Sequence, residues 1–165
     1  MKEQTKDFEG FRSTIYDDTK GKKTIGYGFN LTDKAISKYI PLDVRLGKRP
    51  ITQEESDIIF DKLYANAEKD ASKFVGVETF AKLQPQVKDT LIDMSYNLGY
   101  NKLTGFQEFR KALINNDMQK AAYELKNSKW YGQVGRRSEH HYEVIKNTKP
   151  VRPWKDLLNA KIKGE

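Results

Sequence analysis

The sequence predicts an α+β protein: predominantly helical and two-lobed, with a small N-terminal lobe holding a β-hairpin or short sheet, a long connecting helix and a helical C-terminal lobe. Three observations carry this. Strand-type patterning is confined to residues 13–31. One apolar stripe of about six helical turns follows it. Everything further downstream breaks into short apolar runs at helical spacing, punctuated by Gly, Pro and Asp. The expected organisation is a single domain over 1–165, with a first lobe over about 1–51, the connector over about 52–76 and the helical lobe over about 77–165.

Taken in order, residues 1–10 read as a short helix stopped at Gly10. Thr14, Ile15 and Tyr16 suit a strand, and Asp17 to Lys22 has turn composition. Lys23 to Phe29 reads as a second strand with glycines at 26 and 28, and a third short strand is expected near Phe29 to Leu31. A short helix with Thr32 as N-cap is expected over Thr32 to Tyr39, and Pro41 to Pro50 reads as loop. Thr52 and Glu55 form a capping box that opens the clearest helix. Ile59, Leu63, Ala67, Ala71 and Phe74 make its apolar stripe, and Gly76 ends it.

The helical lobe follows. Pro85 suits a first helical turn, and Val87, Leu91, Met94 and Leu98 recur at helical spacing before Gly99. Phe106, Phe109 and Leu113 mark another helix. Asp117 caps the next, with Ala121, Ala122 and Leu125 inward, and a further one is expected over Gly135 to Lys146. The prolines make Thr148 to Pro153 extended, and a last short helix is expected over Trp154 to Ile162.

Composition narrows the chemistry. Cysteine is absent, so a disulfide framework and a Cys-based zinc site are excluded. His140 and His141 are adjacent, and neighbouring helical positions diverge by about 100°, so no metal site is expected and surface or cap roles are favoured. No stretch of about 18 apolar residues and no signal segment is visible, so synthesis and folding in the cytosol are expected. The formal net charge is +7, and residues 126–165 hold ten basic against four acidic side chains. Such a surface attracts polyanions of any kind: nucleic acid, anionic lipid or an acidic cell wall.

One constellation could carry chemistry. Glu9 ends the first helix, Asp18 lies in the hairpin turn and Thr24 opens Thr-Ile-Gly-Tyr-Gly. Glycosidic cleavage needs one protonated acid for the leaving oxygen and one ionised carboxylate to activate water or stabilise the oxocarbenium-like transition state. Environment separates their pKa values. A threonine hydroxyl beside the Asp can hold the attacking water as donor and acceptor at once. Glycines at 26 and 28 would let a sugar chain approach the backbone. On spacing alone the ordinary reading is favoured: solubilising carboxylates, turn-forming Asp17 and Asp18, and a glycine-marked bulge.

Glu9-Gly10-Phe11-Arg12, then Asp18, then Thr24-Ile25-Gly26-Tyr27-Gly28 resembles the phage-type lysozymes, the endolysins of glycoside hydrolase family twenty-four, T-even phage lysozymes among them. Met94-Ser95-Tyr96-Asn97-Leu98-Gly99 with Gly105-Phe106, and Ser128-Lys129-Trp130-Tyr131 with Gly135-Arg136-Arg137, are similar to two further family blocks. The resemblance implies a two-lobed lysozyme fold and a muramidase that cuts the β-1,4 bond from N-acetylmuramic acid to N-acetylglucosamine. It implies Glu9 as general acid, with Asp18 and Thr24 positioning water on an inverting course. It implies Arg137 as the orienting partner of the acid, with Arg136 as the alternative one residue away. Asn30, Tyr96 and Asn97 match cleft positions and are expected to contact sugar. Phe29 departs from the T-even phage lysozymes, where a histidine follows this motif, and is expected to pack apolar.

No cofactor and no metal are implied. The expected partner is the peptidoglycan glycan strand, with anionic envelope lipids a secondary expectation through the basic C-terminal region. Nucleic acid is not expected as a partner, and a monomer is. Release from the host cytoplasm to the wall implies an inner-membrane-permeabilising partner such as a holin. A lytic transglycosylase and a non-catalytic polyanion-binding module are the rivals.

Overall fold

A computed structural model describes residues 2–149. The contacts divide the chain into two compact units, 1–68 and 69–165. The division falls inside the longest helix. The α+β class is observed: the described chain is mostly helical, with one three-stranded antiparallel sheet near the N-terminus.

In the first unit, helix α1 (Lys2–Glu9) ends before Gly10, as its sequence predicts. Strand β1 (Arg12–Asp17) pairs antiparallel with β2 (Lys23–Gly26), with Tyr16 opposite Thr24 and Asp17 opposite Lys23. Strand β3 (Phe29–Asn30) then pairs with β2, with Thr24 opposite Asn30 and Ile25 opposite Phe29. The second strand is therefore shorter than the sequence reading: it stops at Gly26, and a turn through Tyr27 and Gly28 folds the chain back. Gly26 and Gly28 lie at φ +65° and +73°, a left-handed conformation that ends a ladder. The third strand falls where it was expected.

Helix α2 (Lys34–Ser37) is capped by Asp33, whose Oδ1 accepts from the Ala35 amide at 2.9 Å. Thr32 is not the cap. Its hydroxyl and amide instead donate to Asn30 Oδ1, at 2.6 and 2.9 Å, which closes the turn after β3. The segment read as loop contains one helical turn, α3 (Leu42–Arg45). Its proline-rich ends hid it, because Pro41 is compatible with a helix entry as well as with a loop.

Helix α4 (Gln53–Val75) opens with the expected capping box. Thr52 Oγ1 accepts from the Glu55 amide at 3.1 Å, and Glu55 Oε1 accepts from the Thr52 amide at 3.0 Å. Arg49 adds a fork, Nη1 to Oε1 at 2.8 Å and Nη2 to Oε2 at 2.9 Å. The Arg49 fork first, then the Thr52 amide, pull the Glu55 carboxyl down to about 2. A depressed carboxyl stabilises the fold above its unfolded pKa, and that contribution is lost as pH falls through its folded pKa. Glu55→Gln should therefore cost about 1 kcal/mol at neutral pH. The difference from wild type should close as pH falls from about 4.5 to about 2, measured by chemical denaturation across that window.

The buried stripe of α4 differs slightly from the expected one. Ile59, Ala67, Ala71 and Phe74 are buried, but Leu63 is only half-buried, and Phe60 and Tyr64 take the inner positions beside it. Phe60 meets Tyr27 edge-on at 5.6 Å, so the aromatic side of α4 carries the turn between β2 and β3. Phe29 is fully buried, so the departure from the T-even phage lysozymes packs apolar as expected.

The second unit is helical throughout its described length. After α4 come α5 (Val77–Lys82), α6 (Pro85–Leu98), α7 (Tyr100–Leu103), α8 (Gln107–Ile114), α9 (Met118–Lys126), α10 (Lys129–Val134) and α11 (Arg136–Lys146). Asp117 caps α9 as predicted, accepting from the Lys120 amide at 3.0 Å. The core draws on Val87, Leu91, Met94, Phe109, Leu113, Ala121, Ala122, Leu125 and Ile145. Helices α5 and α7 were not foreseen, because runs of six and four residues are too short to display an apolar period. The expected helix over 154–162 lies outside the described residues. Among the described residues no helix is long and apolar enough to cross a membrane.

Candidate active site

The first unit gathers Glu9, Asp18, Thr24 and Asn30 around its sheet. Glu9 is the last residue of α1 and is half-buried. Its carboxyl lies directly on the α-carbon of Gly28. A Cβ built there would overlap Oε2 of Glu9 and stand 3.0 Å from its carboxyl carbon. A Cβ on Gly26 would strike the ring of Phe29 at 2.6–2.7 Å. From the sequence these glycines could serve sugar approach or mark a bulge. Their side-chain space is instead taken by the protein's own Glu9 and Phe29.

Asp18 heads the hairpin turn. Its Oδ1 accepts from the backbone amides of Lys22 and Lys20, each at 2.8 Å. The Lys22 amide first, then that of Lys20, and the charges of the same two lysines outweigh burial and hold the carboxyl below the ordinary aspartate range. The neighbouring Asp17 instead pairs with Lys23 at 2.7 Å. The spacing that favours Asp18 over Asp17 thus coincides with a difference in environment.

Thr24 occupies the middle strand and is buried, flanked by Tyr16 on one side and Asn30 on the other. Its hydroxyl donates to the Lys22 carbonyl at 2.8 Å. A hydroxyl has one proton, so this one is left to any further group as an acceptor, not as donor and acceptor at once.

Sequence reasoning treated Tyr16 as a strand residue only. Burial first, then the negative charge of Glu9, with a smaller share from Asp18, push its phenol upward, and Arg12 opposes them. The Arg12 guanidinium lies 4.4 Å from the centre of the Tyr16 ring. Tyr16 therefore stands in the field of both carboxylates and belongs to the cluster. Its signal in the sequence was only its place opposite Thr24, which needs the register to be known.

The other sequence-predicted residues lie in the second unit. Tyr96, near the end of α6, is half-buried, and Asn97 is exposed. Asn97 Oδ1 accepts the indole N–H of Trp130 at 2.8 Å, so it anchors a buried aromatic residue. Arg137 is buried at the start of α11 and forks onto Asp93, Nε to Oδ2 at 2.7 Å and Nη2 to Oδ1 at 2.8 Å. His141 is buried as well and joins the same carboxylate at 2.6 Å. The expected surface or cap role for His141 is therefore wrong. One helical step turns it inward, while its neighbour His140 remains half-buried. Asp93 was missed altogether. Its signal was an acid inside the apolar run Leu91-Ile92-Asp93-Met94, where a charge requires a partner.

The chain is similar to "Probable T4-type lysozyme 1" of Dictyostelium discoideum, 28% identical over 157 residues, which covers 88% of this chain and 92% of that protein. "Probable T4-type lysozyme 2" of the same organism is 28% identical over 159 residues with the same coverage. The "Pre-baseplate central spike protein Gp5" of Enterobacteria phage T4 is 25% identical over 156 residues, 88% of this chain but 27% of the spike protein. The family model for phage lysozyme matches residues 6–140, a span that includes Glu9, Asp18, Thr24, Tyr96, Asn97 and Arg137, and the chain therefore belongs to the phage lysozyme family.

Proposed function

We propose that this protein hydrolyses bacterial peptidoglycan at the β-1,4 bond between N-acetylmuramic acid and N-acetylglucosamine, lysing the cell that contains it. The observation that carries this reading is the Glu9 carboxyl seated on Gly28, in the same unit as an Asp18 carboxylate held by two backbone amides. Family membership supports the substrate class. Glu9 delivers a proton to the leaving oxygen. Asp18, held below the ordinary aspartate range, is ionised at neutral pH and takes a proton from water, while Thr24 accepts that water's other hydrogen. This division of labour is an inverting one. Arg137 is proposed to orient the acid, and Asn30, Tyr96 and Asn97 to contact sugar. The Asn30 carbonyl oxygen already serves Thr32, so its amide N–H groups are the part offered to a ligand. The basic segment 126–165 is proposed to favour adsorption to the acidic wall.

The deciding experiment is digestion of purified peptidoglycan with analysis of the products. Hydrolysis gives reducing muramic acid ends whose first-formed anomer is inverted. Products ending in 1,6-anhydro rings would make the protein a transglycosylase and overturn the role of Asp18. Binding without release of glycan would overturn catalysis altogether.

Asp18 also predicts a pH profile. A depressed carboxyl remains charged until pH falls below its folded pKa. The acid limb of activity that Asp18 governs should therefore lie below the ordinary aspartate value of about 3.9. Asp18→Asn should remove that limb and lower kcat by about 10²-fold or more. An acid limb unchanged in Asp18→Asn would show that another group controls it.

A further inference from the structure

The second unit contains a buried polar cluster of which the reaction as proposed above uses Arg137 alone. Asp93, Arg137 and His141 have relative exposures of 3%, 6% and 1%. Both oxygens of Asp93 are engaged. Oδ1 takes Nη2 of Arg137 at 2.8 Å, and Oδ2 takes Nε of Arg137 at 2.7 Å together with Nε2 of His141 at 2.6 Å. A carboxylate only accepts, so Nε2 of His141 carries hydrogen. The other ring nitrogen, Nδ1, lies 3.2 Å from the Thr90 hydroxyl, which also reaches the Gln86 carbonyl at 3.1 Å. Trp130 stacks on the His141 ring with centres 6.2 Å apart and planes 11° apart, and Asn97 holds the indole from the side. The histidine is fixed in position and in rotation, with a hydrogen on Nε2.

Such a cluster is a poor device for stability. Burying a carboxylate and a guanidinium costs desolvation that their attraction barely offsets, and an apolar trio of similar volume would serve as well. What the cluster does well is geometry. A two-point fork fixes both the direction and the plane of a guanidinium, and the third bond from His141 keeps the carboxylate from swinging. The fork uses Nε and Nη2, so the plane and direction of the Arg137 guanidinium are fixed.

We infer that Asp93 and His141 are positioning residues that set the guanidinium of Arg137 for glycan cleavage. The inference rests on the proposed role of Arg137 as orienting partner of the acid. Asp93 holds the fork, His141 holds Asp93, and Thr90 and Trp130 hold His141.

The test compares Asp93→Asn, His141→Leu, His141→Gln and Arg137→Lys on peptidoglycan and on a glycan oligomer, with kcat and KM measured per folded molecule well below the melting temperature. Asn turns an amide N–H toward the guanidinium and breaks one arm of the fork, a misplacement of about 1 Å that should lower kcat on the order of 10²-fold with KM within about twofold. His141→Leu should lower kcat about tenfold. His141→Gln should restore it to within about threefold, because the glutamine amide reaches the same place and donates the same hydrogen bond. The restoration separates positioning from packing, since leucine fills the space and glutamine supplies the bond. If Asp93→Asn fails to fold, the two His141 variants decide the matter alone. Equal kcat in leucine and glutamine variants, or losses confined to melting temperature or KM, would overturn the inference. Arg137→Lys cannot make the fork and should lose activity as Asp93→Asn does. Arg137→Lys at wild-type kcat would instead overturn the role of Arg137 itself. A loss there with none in the Asp93 and His141 variants would sink the present inference alone.

Discussion

Glu9→Gln should abolish glycan cleavage, with kcat falling on the order of 10³-fold or more, and should leave the fold intact. The leaving oxygen of a glycosidic bond needs a proton as the bond breaks, and a carboxamide has none acidic enough to give. The replacement is nearly isosteric, so the amide still fits on Gly28 where the carboxyl now lies. Stability should change little. Glu9 ends α1, where the helix dipole disfavours a negative charge, so losing that charge offsets part of any lost contact, within about 1 kcal/mol. The measurements are release of reducing ends from purified peptidoglycan and a thermal melt. Wild-type turnover in a well-folded Glu9→Gln protein would remove Glu9 from the mechanism.

Gly28→Ala should be nearly as damaging, by a different route. Two faults coincide there. At φ +73° an L-residue is strained, and its Cβ would overlap the carboxyl of Glu9. The strain should cost about 1–2 kcal/mol of stability. The overlap must push the Glu9 side chain away, and a shift of about 1 Å at a reacting group costs on the order of 10²-fold in rate. Gly47→Ala is the internal control. Gly47 has φ +72° but nothing within 4 Å of its would-be Cβ. It should show the same loss of stability with no loss of kcat. If both alanine variants keep full activity per folded molecule, the seat on Gly28 does not position Glu9.

The match between sequence and structure was best where the cause is local. The capping box of Thr52 and Glu55, the Asp117 cap and the end of α1 at Gly10 each depend on residues within one turn of each other. The errors were also local but more subtle. Thr32 and Asp33 are both good caps, and the choice went to Asp33 because Thr32 was already committed to Asn30. The strand over Lys23 to Phe29 was drawn too long because alternation alone cannot show where φ turns positive.

Fold class and family could be read from the chain alone, because the two spacings that join Glu9, Asp18 and Thr24 and the three ordered blocks are properties of order along a sequence. Three things could not. Gly28 makes room for Glu9, Tyr16 lies in the field of both carboxylates, and Asp93 gathers Arg137 and His141 from 44 and 48 residues away. Each is a juxtaposition of residues that strand register or helix packing sets. A buried carboxylate must find its partners somewhere, but desolvation dictates only that they exist. The packing of α6 against α11 decides that they are Arg137 and His141.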